Sequence, residues 1–138
     1  VEDVLDSLKW AERIGGLDEL IRRTQNNFNA IVQWIKYCDE FDFLAQNPLQ
    51  RSSTSVCISI AAPWILNLSI DQRLGLSQSL VSLLEEAGAA YDIASHRSAP
   101  PGLRIWAGAT VETSDLELLF PWLEWALREV QSKSRSII

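Results

Sequence analysis

The sequence predicts one α/β domain of the α+β kind, a small and mainly antiparallel sheet covered by helices. Four stretches carry apolar residues at helical spacing between cap and stop residues, and four short stretches alternate apolar with polar positions. Their order is helix, helix, strand, strand, helix, strand, strand, helix, which fits helices laid on one small sheet. At 138 residues and 47% hydrophobic composition, the chain can bury a core of its own.

Val1, Leu5, Leu8 and Ala11 mark a first helix of about three turns, stopped by Gly15-Gly16. Leu20, Ile21, Phe28, Ile31 and Ile35 continue the rhythm from Leu17 to Tyr37, with Asp18 and Glu19 in the favourable first turn. A strand is expected over Phe41 to Ala45, then turn chemistry in NPLQRSS, then a half-buried strand in TSVCISIA, where Val56, Ile58 and Ile60 alternate with polar or small residues. PWILNLSIDQ suits either a loop packed on the core or a short irregular turn, and Ser69 or Asp71 can cap the next helix.

Leu76, Leu80, Leu83, Leu84 and Ala87 mark the third helix, with Gly88 at its C-terminal stop. A strand is expected in YDIAS and another in GLRIWAGA, parted by Pro100, Pro101 and Gly102. In the latter, Leu103, Ile105 and Ala107 share one face and Arg104 and Trp106 the other. Thr113 or Ser114 can cap a last helix whose buried stripe is Leu116, Leu119, Leu123 and Leu127, and the polar tail QSKSRSII is expected to fray.

A formal net charge of -6 argues against nucleic acid and anionic membranes as partners. No apolar run approaches the ~20 residues that span a bilayer. Cys38 and Cys57 are not spaced as a redox or zinc pair and read as reduced thiols of a cytoplasmic protein. One histidine and two separated cysteines offer no metal cluster, and no glycine-rich phosphate loop opens a helix. Glu12, Arg13, Arg22, Arg23, Glu85 and Glu86 read as solvated helix faces without function. The chain opens at Val1 inside an amphipathic helix, without a methionine, and is expected to be part of a longer polypeptide.

Chemistry concentrates between Ser95 and Gly108, where His96, Arg97 and Arg104 flank a stiff Pro-Pro-Gly turn. Arginine presents a planar fork that matches carboxylate or phosphate, and an adjacent imidazole adds a donor. A ligand with two anionic ends suits the set. The plain alternative pairs Arg97 and Arg104 with acids such as Asp92 or Glu112 and leaves His96 a satisfied surface residue. Trp106 can stack on an aromatic ligand or serve only in packing.

The segments WAERIGGLDELI, RSSTSV, EEAGAAYDIASHR and PPGLRIWAGATVE, with the closing helix DLELLFPWLEWA, together resemble the C-terminal small domain of phosphoserine aminotransferases, class V pyridoxal-phosphate enzymes of fold type I. The resemblance spans nearly the whole chain, so residues 1–138 correspond to that small domain, with the large cofactor-binding domain absent. It implies that His96 and Arg97 bind the substrate phosphate and that Arg104 binds the α-carboxylate. The implied reaction moves an amino group from glutamate to 3-phosphohydroxypyruvate, giving phosphoserine and 2-oxoglutarate in serine biosynthesis; the resemblance leaves open whether 4-phosphohydroxythreonine is also a substrate.

In such enzymes pyridoxal phosphate and its Schiff-base lysine sit in the large domain, and the full-length protein is a homodimer. Lys9, Lys36 and Lys133 lie outside the family's lysine motif, so this chain alone is expected to bind no cofactor and to be inactive. The turn SAPPGL is one residue longer than the family's glycine-rich turn, an arrangement shared by a subgroup with the PPGLRIW pattern. A free-standing α/β module that binds a small anionic metabolite or a protein partner is the alternative reading.

Overall fold

The computed structural model describes residues 1–135, and side chains as far as residue 133. Gly15 separates two helices, α1 (Glu2–Ile14) and α2 (Gly16–Tyr37). Its φ of 122° is open to glycine and strained for other residues, so the chain turns there without a longer loop. Next come β1 (Phe41–Phe43), β2 (Ser55–Ile60), α3 (Ile70–Glu86), β3 (Leu103–Trp106) and α4 (Thr113–Arg135).

The sheet has strand order β1-β2-β3 and is antiparallel throughout the described residues. Phe41 faces Ile60 across the first pair, and Cys57 faces Arg104 across the second. Period-two alternation sends Phe41, Phe43, Val56, Ile58, Leu103 and Ile105 to one face, where all are buried. There they join Ile31 of α2, Leu80 and Leu84 of α3, and Leu123 and Leu127 of α4 in a single apolar cluster. Each fully buried leucine contributes about 2 kcal/mol. Asp42, Ser55, Cys57, Ser59, Arg104 and Trp106 point the other way and keep access to solvent. The domain is therefore a two-layer α/β structure with helices on one side of the sheet and the other side open.

Local chemistry fixes the helix ends. Ser69 Oγ accepts from Gln72 N while Gln72 Oε1 accepts from Ser69 N, a reciprocal capping box that starts α3. PWILN, ambiguous in sequence, forms a short 3-10 turn with Ile65 buried.

Four expectations change. The YDIAS strand shrinks to a single bridge between Ala94 and Leu103, because Asp92 adopts φ 52° and breaks the extended run. Thr113 is the first helical residue of α4 instead of its cap, and its hydroxyl donates to Asn27 Oδ1 at 2.6 Å. The helix continues to Arg135, so residues 131–135 of the expected frayed tail are helical, while 136–138 lie outside the described residues. Arg23 is not a solvated bystander: Arg23 Nε donates to the Ala109 carbonyl at 2.7 Å, and the guanidinium pairs with Glu112.

Candidate anion-binding site

Strand β3 places Arg104 on the open face of the sheet, between buried Leu103 and Ile105. Its amide donates to the Ile93 carbonyl at 2.9 Å, so the segment carrying Asp92 runs alongside. The left-handed turn at Asp92 brings that carboxylate to Arg104, Nη2 to Oδ2 at 3.2 Å. The pair anticipated as the plain alternative thus forms, although Glu112 is taken by Arg23. Asp92 is 89% exposed, and an ion pair in that setting contributes about 0–1 kcal/mol, so a better-fitting carboxylate can displace it.

Arg104 lines a cavity of about 410 Å³ together with Asp92, Trp106, Ser55 and Asp115. Trp106 is 58% exposed, its ring lies over Gly108, and Nε1 donates to Thr110 Oγ1 at 3.5 Å. It presents a flat apolar wall and is not a core residue.

His96 and Arg97 lie on the loop beyond the Ala94 bridge, in a turn closed by Ala99 N donating to the His96 carbonyl at 2.8 Å. They line a second cavity of about 370 Å³, whose far wall is α3 through Ser77, Gln78 and Ser82. His96 Nδ1 accepts from Ser98 N at 3.2 Å, which leaves Nε2 as the ring's donor. No acidic residue lines this cavity, whereas Asp92 and Asp115 flank Arg104. The three predicted residues therefore divide into two sites of different charge: an arginine with an imidazole beside it and no acid among the described lining residues, and a guanidinium already partly neutralised.

The α3 contribution was missed in the sequence. Its only signal is that Ser77, Gln78 and Ser82 fall on neighbouring positions of a helix whose Leu76, Leu80 and Leu84 enter the core; Ser77 is buried and its hydroxyl has no hydrogen-bond partner. Burial raises the Cys38 thiol above its usual range, which disfavours the thiolate. Among the described residues no group of three or more metal-ligating side chains gathers, and no helix is long and apolar enough to cross a membrane.

No family model matches the sequence. The chain is 46% identical over 125 residues to the phosphoserine aminotransferase of Methanosarcina mazei, a match covering 91% of this chain and 31% of that protein. It is 45% identical over 130 residues to the phosphoserine aminotransferase of Methanosarcina barkeri, covering 94% and 32% respectively. The fold matches part of the phosphoserine aminotransferase from Bacillus circulans subsp. alkalophilus with a TM-score of 0.69 at 21% identity, over 88% of this chain and 30% of that one. The chain thus spans about a third of the length of the curated relatives it matches.

Proposed function

From a chain related over more than nine-tenths of its length to one third of phosphoserine aminotransferases, we infer that it is the small C-terminal domain of such an enzyme and supplies its substrate-anion contacts. His96 and Arg97 take the phosphate of 3-phosphohydroxypyruvate or phosphoserine, and Arg104 takes the α-carboxylate. The observation that carries this assignment is the division of charge. The His96–Arg97 cavity has no acid in its wall and suits a dianion, while Arg104, offset by Asp92 and Asp115, suits a single carboxylate.

The amino donor is glutamate, the products are phosphoserine and 2-oxoglutarate, and the complete enzyme works as a cytoplasmic homodimer. Pyridoxal phosphate supplies the electron sink for amino transfer when bound. The residues present here do not fit it: Lys9, Lys36 and Lys133 stand on α1, α2 and α4, and none of them lines either cavity described above. The lysine and the cofactor site therefore belong to the part of the polypeptide outside this chain, and no step through the cofactor is assigned to these residues.

The test uses a chimera in which this chain replaces the matched third of the Methanosarcina mazei enzyme. Arg104→Ala is expected to lower kcat/KM for phosphoserine by at least about tenfold, the scale of a lost charge-assisted contact. Arg97→Ala is expected to raise KM for phosphorylated substrates. Unchanged steady-state kinetics in both variants would remove the assignment.

A further inference from the structure

Ser77 stands at a position of α3 where a core residue is expected. It shares the inward helix face with Leu80 and Leu84 and is only 4% exposed. Its hydroxyl has no hydrogen-bond partner among the described residues. A serine inside a helix can return its hydroxyl to the carbonyl four residues back, as Ser79 does to Gly75 at 2.9 Å. Ser77 makes no such bond, and a buried hydroxyl without a partner is costly where an alanine would not be. The surroundings narrow the missing partner, because Ser77 lines both the His96–Arg97 cavity and a smaller one of about 210 Å³. The smaller cavity is walled mainly by aliphatic and proline side chains, and its cation, Arg73, already donates to the Leu68 and Leu66 carbonyls at 3.1 and 3.0 Å. The larger cavity holds the Arg97 guanidinium and the His96 imidazole, which attract an anion whose oxygens accept hydrogen bonds.

We propose that Ser77 is a specificity-determining residue of this cavity, donating its hydroxyl to one oxygen of a phosphoryl group held by His96 and Arg97. The inference rests on the assignment of the substrate phosphate to that pair. A serine hydroxyl turns about a single bond, and here the turn breaks no hydrogen bond, so the group is available to an anion that fills the cavity. Geometry separates the two kinds of side-chain anion that the proposed reaction brings. A glutamate carboxylate offers two oxygens in one plane, and a guanidinium fork engages both. A phosphate offers three acceptor oxygens in a tetrahedral arrangement, so one stands away from the fork and takes donors from other directions. His96 supplies such a donor from the loop and Ser77 supplies one from α3, on the facing wall. Ser77 therefore favours a phosphorylated substrate over a dicarboxylate at the same place.

The test measures kcat/KM for phosphoserine and for glutamate in the Methanosarcina mazei chimera. Ser77→Ala is expected to lower the phosphoserine value by at least about tenfold, through KM, as one hydrogen bond to a charged group is lost. The glutamate value should stay within about twofold, so the ratio of the two values falls. Ser77→Thr, which keeps the hydroxyl, should hold that ratio within about threefold of the unsubstituted chimera. Without substrate the hydroxyl is unpaired, so the thermal midpoint of Ser77→Ala should be unchanged or higher. A midpoint lowered by more than about 4 °C would show that the hydroxyl is paired within the protein and would overturn the proposal. Equal losses for both substrates would do the same, since they mark a structural role. Arg97→Ala separates this inference from the reading beneath it. If Arg97→Ala lowers the ratio and Ser77→Ala does not, the Ser77 contact is wrong and the phosphate assignment stands; if neither lowers it, the phosphate does not bind in this cavity.

Discussion

Asn27 is fully buried and ties α2 to the loop behind β3. Its amide nitrogen donates to the carbonyls of Ala107, Gly108 and Val111 at 3.2, 3.1 and 2.9 Å, and its Oδ1 accepts from Thr113. Arg23, one turn earlier, grips the same loop through the Ala109 carbonyl. Asn27→Ala strands buried acceptors, and urea unfolding should show a loss of about 3 kcal/mol. A loss under about 1 kcal/mol would mean that water replaces the amide. Nothing in the sequence marked Asn27, since an asparagine inside a helical stretch ordinarily reads as a surface residue. Its partners lie 80 or more residues away, beyond what local spacing reveals. Arg104 and Asp92 were legible because strand alternation and a short separation bring them together.

At the scale of elements, the helices were read well because caps and apolar stripes are local signals. A cap at Ser69 or Asp71 announces α3, and Leu116, Leu119, Leu123 and Leu127 announce α4 despite Pro121 inside it. That proline removes one backbone donor from the helix, but Phe120 beside it stacks on Trp34 at 4.7 Å and holds α4 to α2. The YDIAS strand failed for a different reason: its composition is strand-like, but one residue in the left-handed region outweighs propensity. Gly102 shows the same dominance of backbone geometry. A Cβ there would overlap the carbonyl oxygen of Ile58, so β3 enters the sheet only because this position has no side chain. Gly102→Ala should lower stability by about 3 kcal/mol and weaken hydrogen-exchange protection in β3 before α4. Equal loss of protection in both elements would place the strain elsewhere.

Taken whole, the described residues fold around one core and leave the sheet face that carries Arg104 open to solvent. The architecture was readable from pattern; the division of the candidate anion residues into two cavities was not, because it depends on the loop of His96 and Arg97 lying against α3 while Arg104 stands on β3. A domain whose candidate anion residues are spread over two cavities should hold the proposed substrate poorly. Phosphoserine titrated into the 138-residue chain by calorimetry is expected to bind more weakly than about 1 mM, some -4 kcal/mol. Tighter binding would point to a self-sufficient binding module.

The Arg104–Asp92 contact also bears on which anions can be captured. Asp92 engages the guanidinium through one oxygen on one nitrogen, so the resting arginine is occupied but only on a single prong. A ligand carboxylate that meets the fork on two prongs forms one bond more than it displaces. Chloride, which has no second oxygen to offer, gains no such surplus. Under the proposed assignment of Arg104, the aspartate therefore favours a planar carboxylate over a simple anion by no more than about 1 kcal/mol.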